Sequence, residues 1–317
     1  MRRLVLPALL LSVLTISAAA ANLGSAAQAT IPADVQQIIG VDYRSLNNSQ
    51  TALALKDRVL PDNVKHFEGA LRGVGIDPNE QLNQIFFVSF RETAPESTAA
   101  KTGLRVIGIA QGQFNKAAVL KRLRAKKIRG KRVEEAVVYP MGGMEMSFLD
   151  PDTLLFGESA SVKLALQTRS GQRQSFASNR QISNMVADVG DGAVWSVLDQ
   201  QGTQTMMRSA LGDAAGLADY EVVKKRILGS IYTMEFRNGV NFDLNVFTAD
   251  SFTAATLSSI LQAGMLYKKM NATPSEKMAL ESVTVDSSSD RLRLKFRSDD
   301  QRFQSLLSSD MFAAVTR

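Results

Sequence analysis

The most constraining feature of this sequence is a strict alternation of apolar and polar residues in its C-terminal third. The alternating residues are, in order, Val240, Asn241, Phe242, Asp243, Leu244, Asn245 and Val246. Because successive side chains of a β-strand point to opposite faces, this pattern indicates a strand with one buried and one polar face. Other segments of the chain alternate in the same way, which favours antiparallel sheets with helices packed on one face.

The order of elements in the first half of the chain recurs in the second half. A short apolar segment that ends in Asp42 corresponds to one that ends in Asp199, and residues 85–90 correspond to residues 231–236. Each half then has the order β-α-β-β-α-β-β, which is close to the ferredoxin-like split βαβ pattern with one more strand. The sequence therefore predicts an α+β fold of two sequence-diverged repeats, with antiparallel sheets covered by helices on one face. The alternative is one mixed α+β domain whose elements happen to recur.

The chain of 317 residues is long enough for about two domains of roughly 150 residues each. A polar stretch without acidic residues separates the two predicted repeats. The predicted organisation is a signal peptide at 1–29, a first α+β repeat at 30–168, a polar linker at 169–180, a second α+β repeat at 181–300 and a C-terminal helix at 301–317.

The N-terminus has the features of a secretory signal peptide. Arg2 and Arg3 precede an apolar run over residues 4–16, and Ala27-Gln28-Ala29 forms an A-x-A site with cleavage expected before Thr30. Ala19-Ala20-Ala21 is an earlier cleavage option, and an uncleaved anchor is the alternative. No later apolar run reaches 18 residues, so we expect an exported protein, periplasmic or extracellular, without a transmembrane span in the mature chain.

Three local features resemble a loose class of exported bacterial proteins of unknown function. They are the opening strands that end in Asp, the turn Gly75-Ile76-Asp77-Pro78, and the segment 152–157 with the sequence Asp-Thr-Leu-Leu-Phe-Gly before a helix. The resemblance implies a signal peptide followed by two copies of an α+β unit. It implies no activity and no catalytic residue.

The residues that most enzymes need are scarce in this chain. It has no Cys, which excludes disulfides, thiolate catalysis and Cys-ligated metals, and His66 is its only histidine. The segment around Ser159 resembles a nucleophile elbow but lacks the closing Gly. The carboxylates around Pro151, and the pair Asp286 and Asp290, are interpreted as turns. We therefore expect no catalytic residue, no metal and no cofactor.

The least usual feature is a run of cations without an intervening acid. The run contains Lys116, Lys121, Arg122, Arg124, Lys126, Lys127, Arg129, Lys131 and Arg132. Without Arg2 and Arg3, 35 of the 37 basic residues remain against 31 acidic ones, so these nine alone make the mature chain basic. Val119, Leu120 and Leu123 form an apolar stripe, which predicts a helix over residues 115–127 with its cations in water.

Two interpretations of this run remain open. It is either a surface for an anionic partner, such as lipid head groups, an envelope polymer or an acidic protein, or a solvated helix face that promotes solubility. Export and the lack of interleaved aromatic residues disfavour nucleic acid.

A second row of cations comprises Arg291, Arg293, Lys295 and Arg297, on one face of a predicted strand. We expect Glu235 and Asp243 on neighbouring strands to pair with this row rather than to leave it as a binding site.

Three functional hypotheses follow from the sequence. The first is a noncatalytic envelope protein that binds an anionic partner through the basic helix. The second is a carrier for a lipid or other apolar ligand, which requires an internal apolar pocket. The third is a hydrolase with a cryptic carboxylate or serine site, which requires a cleft with carboxyl groups of raised pKa.

Overall fold

A computed structural model describes residues 23–49, 51–53, 62–92, 103–211, 220–237, 239–299 and 302–303. The described strands form one sheet of twelve. They are β1 (Val35–Asp42), β2 (Leu82–Arg91), β3 (Leu104–Gly112), β4 (Lys131–Val133), β5 (Ala136–Met141), β6 (Met144–Phe148), β7 (Thr153–Gly157), β8 (Val194–Leu198), β9 (Ile227–Glu235), β10 (Val240–Thr248), β11 (Val283–Ser288) and β12 (Arg291–Ser298).

The described helices lie between these strands in the chain. They are α1 (Ser25–Thr30), α2 (Tyr43–Asn47), α3 (Asp62–Val74), α4 (Pro78–Gln81), α5 (Lys116–Ala125), α6 (Ser159–Arg169), α7 (Arg180–Ala187), α8 (Gln200–Leu211), α9 (Tyr220–Val223), α10 (Ser251–Asn271) and α11 (Pro274–Glu281). Two 3₁₀ turns, Phe176–Ser178 and Lys224–Arg226, complete the set. No helix among the described residues combines the length and apolar character needed to cross a bilayer.

The strand order across the sheet is β11-β12-β10-β9-β8-β1-β2-β3-β7-β6-β5-β4, and every neighbouring pair is antiparallel. The first and second halves of the chain meet where β1 pairs with β8 at the centre. The α+β class and the antiparallel pairing predicted from alternation are confirmed.

The sheet has two faces with separate cores. On β7, Leu154 and Phe156 pack in one core with α3, whereas Leu155 packs in the other core with α6. We call these the α3 face and the α6 face. Alternation along a strand produces this division, because neighbouring side chains point to opposite faces.

On the α3 face, helices cover both halves of the sheet. Val41 of β1, Val194 of β8, Met234 of β9 and Phe242 of β10 are consecutive register partners, so they share this face. Helices α3 and α5 pack over the first half. Helices α8, α9 and α10 pack over the second half, and Leu257 of α10 is fully buried there.

On the α6 face, the described helices cover the first half and the centre only. Helices α1, α6 and α7 pack on Phe86, Ile109 and Leu155 of the first half, and on Trp195 and neighbouring residues at the centre. The outer strands β10 and β12 have polar side chains on this face, and those of Arg291 and Arg293 are exposed.

Two features of the predicted fold require correction. Helices were expected on one face, but α1, α6 and α7 lie on the face opposite α3, because the strands of the first half carry apolar residues on both faces. Four strands, β4 to β7, follow α5 in the first half, where the predicted repeat has two. The short strand β4 pairs with β5 at the edge of the sheet.

The aromatic side chains at two glycines fix the close packing of the sheet. Gly40 lies opposite Trp195 at the central β1–β8 pairing, and Gly108 lies opposite Phe156 in the β3–β7 pairing. At both glycines the ring occupies the space of an added Cβ. Phe156 also stacks on Phe67 of α3, with ring centroids 3.6 Å apart. The sheet thus depends on glycine at these two positions to admit large rings.

Part of the predicted signal peptide belongs to the described core. Residues 1–22 lie outside the described residues, but Leu23 and Ala27 are buried on the α6 face, at 5% and 0% exposure. Helix α1 packs against α6, and Ile31 directly after it is fully buried. Cleavage before Thr30 stays a prediction, and it would remove Leu23 and Ala27 from this core but leave Ile31 in the chain.

The predicted C-terminal helix at 301–317 lies outside the described residues except for Arg302 and Phe303. Phe303 is buried on the α3 face near Phe296 of β12, with ring centroids 6.4 Å apart. The predicted domain boundaries stay predictions.

Candidate functional site: a basic surface on helix α5

Helix α5 forms where the sequence predicts it. The Asn115 side chain caps its N-terminus by accepting a hydrogen bond from the backbone N–H of Ala118, at 3.0 Å. Val119 and Leu123 are 2% and 1% exposed and pack on the α3 face, with Leu120 at their side. Because this stripe fixes which side of the helix faces the sheet, the cations between its members face outward.

All nine cations of the predicted site are exposed. They are Lys116, Lys121, Arg122, Arg124, Lys126, Lys127, Arg129, Lys131 and Arg132, and we call them the basic surface. Five lie on α5 or in the turn directly after it between residues 121 and 127, and the last two are on the edge strand β4. The nine cations are therefore exposed along a chain segment that runs from α5 to β4, where Lys131 Nζ also donates to Ser159 Oγ of α6 at 3.4 Å.

The turn after α5 carries a cation where glycine is usual. Lys127 has φ of +57°. Its N–H bonds to Arg124 O, and the N–H of Ile128 bonds to Leu123 O, both at 2.9 Å. This is the Schellman arrangement, which puts the residue after the helix in the left-handed region. A side chain there costs about 1 kcal/mol relative to glycine.

Some cations of the basic surface have structural contacts. Lys131 forms an ion pair with Glu145 at 2.5 Å. Lys126 Nζ donates to the carbonyl of Gly73 at 2.8 Å and so ties the end of α5 to α3. Lys116 Nζ lies 5.5 Å from the centroid of the Phe148 ring.

The other cations have fewer partners. The Arg122 guanidinium lies over Gly75, where it occupies the space of a Cβ, and Arg132 Nε donates to the Glu134 carbonyl at 3.3 Å. Within the part of the chain that the structure describes, Lys131 alone of the nine forms an ion pair. The basic surface is therefore largely uncompensated by the carboxylates that the structure describes, and it attracts anions.

The second row of cations pairs only in part as predicted. Arg297 forms an ion pair with Asp243 at 2.7 Å, which confirms that partner. Glu235 does not reach the row: it lies opposite Asn241 at the end of β9 and pairs with Arg237 at 3.1 Å. Because Glu235 is the last residue of β9, it lies beside the turn between β9 and β10 rather than beside β12.

The other three cations of this row border an open groove of about 490 Å³ on the α6 face. Arg293 Nε donates to Asn245 Oδ1 at 3.2 Å, and the Arg291 guanidinium lies 4.8 Å from the centroid of the Phe247 ring. The row of cations was visible in the sequence. The groove also requires the end of α7 as its other wall, and no local sequence signal predicts the position of α7.

The remaining sequence candidates do not form a catalytic cluster among the described residues. His66 lies in α3, and its side chain is outside the described part. Asp150 accepts from the backbone N–H of Asp152 at 2.9 Å, which confirms the turn interpretation of the carboxylates around Pro151. Asp290 lies in the turn between β11 and β12, but Asp286 lies in strand β11, so the turn interpretation of Asp286 was wrong. No group of three potential metal ligands occurs within the residues described.

The described carboxyl groups with a shifted pKa are stabilised in their charged form. Hydrogen bonds from Thr253 lower the pKa of Asp250, and hydrogen bonds from Thr273 lower that of Glu276. A hydrogen bond from Lys224 lowers the pKa of Glu221. None of these three provides the protonated acid that the hydrolase hypothesis requires, so no observation favours that hypothesis.

The fold and the site together define an α+β protein with one twelve-stranded antiparallel sheet and an exposed basic surface. No family model matches the sequence, and no curated protein matches it. Among solved structures it is similar to crystal form I of TP0453, with a TM-score of 0.46 and 8% identity over 91% of this chain and 96% of that chain.

Two further crystal forms of TP0453 give comparable values. Form III has a TM-score of 0.43 and 10% identity over 89% of this chain and 98% of that chain. Form IV has a TM-score of 0.43 and 10% identity over 89% of this chain and 96% of that chain.

Proposed function

We propose that this protein is an exported, noncatalytic envelope protein that docks on anionic lipid head groups through the basic surface. The observation that carries the proposal is the exposure of nine cations on α5 and the chain after it, of which one forms an ion pair with a described residue. Each cation near an anionic bilayer contributes about 1 kcal/mol of attraction.

The shape of the basic surface favours a bilayer over other anionic partners. Its cations lie on the outside of a helix and on an edge strand rather than in a cleft. A flat array of head groups can meet many such cations together, whereas a small anion meets one or two. An envelope polymer or an acidic protein is an outcome of the experiment below.

The positive φ of Lys127 supports a role for its charge. Glycine at this position would relieve the left-handed backbone strain, so the lysine carries a cost in stability. A cation that costs stability is expected where it contributes to binding.

Export fits cleavage at the earlier A-x-A site. Cleavage after Ala21 leaves Leu23 and Ala27 in place on the α6 face, and the mature chain then begins at Asn22. Intact mass of the secreted protein measures this directly.

We infer that the two halves of the chain descend from one duplicated unit. From the central β1–β8 pairing outward, the order β1-β2-β3-β7-β6 on one side corresponds to β8-β9-β10-β12-β11 on the other. The extra edge strands β4 and β5 then belong to the first copy alone.

Co-sedimentation of residues 22–317 with vesicles tests the docking proposal. The variant replaces Lys121, Arg124, Lys127 and Arg129 by Gln, because these cations have no ion pair with a described residue and do not hold α5 in place. We expect binding to phosphatidylglycerol-containing vesicles that weakens with salt, and a loss of at least about a hundredfold in the variant. Vesicles of phosphatidylcholine alone should not bind.

The matched control removes four exposed cations elsewhere: Lys163, Arg180, Lys225 and Lys277. It has the same net charge as the variant and should retain binding. An equal loss of vesicle binding in the variant and in the control would show that only net charge matters, and it would contradict the proposal. If the protein binds a purified anionic polymer but not vesicles, the partner of the basic surface is that polymer and not lipid.

Lys127→Gly separates binding from folding. This substitution should raise the free energy of unfolding by about 0.5–1 kcal/mol and still weaken vesicle binding. Unchanged binding would remove Lys127 from the docking surface.

A further inference from the structure

The groove on the α6 face of the second half lies between the end of α7 and the outer strands of the sheet. Its walls are Asp188 and Gly190 after α7 on one side and the cations of β12 on the other, with a volume of about 490 Å³. This volume is within the range of pockets that hold small ligands. We call it the β10–β12 groove.

The groove exists because α7 covers β9 and then stops. Gly229 of β9 has no side chain, and Met185 of α7 occupies that space. Ile231, two residues further along the same face, is 5% exposed and still belongs to the covered core. The described chain leaves β10 and β12 uncovered beyond this point, so the floor of the groove is a sheet surface.

The outer wall of the groove is positively charged. Arg291, Arg293 and Lys295 are alternate residues of β12, so they share a face at intervals of about 7 Å. None of the three forms an ion pair with a described carboxylate, although Asp286 is the register partner of Arg293 on β11. Of the two acids that line the groove, Asp243 is engaged by Arg297 at 2.7 Å and Asp188 lies on the opposite wall.

The floor of the groove is partly apolar. Ile231 and Phe247 line it beside Thr233 and Asn245. The Arg291 guanidinium is held over the Phe247 ring, 4.8 Å from its centroid. The groove therefore combines cations on one wall with an aliphatic and an aromatic side chain beneath them.

We propose that the β10–β12 groove binds a small amphipathic anion, with a phosphate or carboxylate head against Arg293 and Lys295 and a short apolar body over Ile231 and Phe247. Arginine and lysine provide charge-assisted hydrogen bonds to either head group. The corresponding face in the first half is filled by the chain's own α6, whose Val162 and Leu166 pack on Leu155. The inference does not depend on the cations of α5, which lie over the α3 face.

Calorimetric titration with octyl phosphate and octanoate tests the proposal and distinguishes the two heads. Inorganic phosphate reports the contribution of charge alone, and octyl glucoside reports the contribution of the alkyl chain alone. We expect one of the two amphipathic anions to bind at least about tenfold more tightly than inorganic phosphate and octyl glucoside. Equal affinity for inorganic phosphate, or for octyl glucoside, would overturn the proposal.

Two variants locate the binding. The double substitution Arg293→Gln with Lys295→Gln should weaken binding by at least about tenfold. Thr233→Phe fills the floor without a change of charge and should also weaken it. The matched control, Lys121→Gln with Lys127→Gln on the basic surface, should change the affinity by less than about twofold.

Thermal unfolding of each variant confirms that it is folded before titration. Retention of octyl phosphate and octanoate binding in both groove variants would overturn the assignment to this groove. Loss of binding in the basic-surface control alone would assign the anion to α5 instead.

Discussion

The two halves of the sheet differ most on the α6 face. In the first half, this face carries Phe86, Ile109 and Leu155 and is sealed by α1 and α6. In the second half, the outer strands carry Asn245 and Arg293 there, and the described helices leave them open. In this sheet, polar residues at alternate strand positions therefore coincide with an accessible face, and apolar residues at those positions coincide with a covered one.

On the α3 face, in contrast, the two halves of the sheet are alike. Both halves have apolar strand residues on it, including Leu154 in the first half and Leu244 in the second. Both halves are covered there, by α3 and α5 or by α8 and α10. Helix coverage therefore follows the apolar pattern of each face, not membership in a half.

The largest expected effect on the free energy of unfolding comes from placing a charged residue on the covered part of the α6 face and an apolar residue on its open part. Leu155→Lys puts a charge into a site that is 0% exposed, and we expect a loss of at least about 4 kcal/mol in the free energy of unfolding. The reverse change on the open side, Arg293→Leu, should change it by less than about 1 kcal/mol. Urea denaturation of the two variants measures both values. Similar losses would show that the second-half face is covered in solution.

Removal of residues 22–29 should have the next largest effect. It takes Leu23 and Ala27 from the α6 face of the first half, and we expect a loss of about 3 kcal/mol from the buried leucine and the surface uncovered on α6. Thermal and urea unfolding of residues 30–317 and 22–317 give the comparison. Equal stability would show that α1 does not contribute to the cover of this face, and cleavage before Thr30 would then be compatible with the fold.

A smaller effect is expected at alkaline pH, where both halves should respond alike. Burial, followed by the Glu221 carboxylate, raises the pKa of Tyr220 to about 12. Burial and the Glu68 carboxylate raise the pKa of Tyr43 above its ordinary value of 10. These phenols stay protonated in the folded chain while they ionise in the unfolded chain.

Their stabilising contribution is therefore complete below about pH 10 and is lost as the pH rises towards 12. Urea denaturation at a series of pH values measures this decline, and Tyr220→Phe should make it shallower. The phenol of Tyr220 donates to the Gln204 carbonyl at 2.8 Å, so this variant should also lose about 1 kcal/mol at neutral pH. An unchanged alkaline slope in the variant would exclude Tyr220 as its source.

The basic surface was predictable because its signals are local. A capping residue, Asn115, and an apolar stripe that includes Val119 and Leu123 define α5 and leave its cations facing outward. The pairing of the second row was predicted only in part. Asp243 binds Arg297, but Glu235 turns to Arg237, because the exact end of β9 decides which cation it can reach.

The β10–β12 groove and the buried position of α1 could not be predicted from local patterns. The groove requires that α7 stop beside Asp188, opposite strands more than fifty residues later in the chain. Leu23 and Ala27 resemble signal-peptide residues by composition, and only their contacts with α6 identify them as core.

By itself, the sequence determined the α+β class, the antiparallel pairing, the position of α5 and the exposure of its cations. Periodicity of two or of 3.6 residues specifies which side chains of one element share a face, because it depends only on the local backbone. The tertiary structure decided that β1 joins β8 in one sheet and that helices cover the α6 face only in part. It also decided which cations form ion pairs with carboxylates. These depend on contacts between residues far apart in the chain, where the packing of whole elements sets the distances.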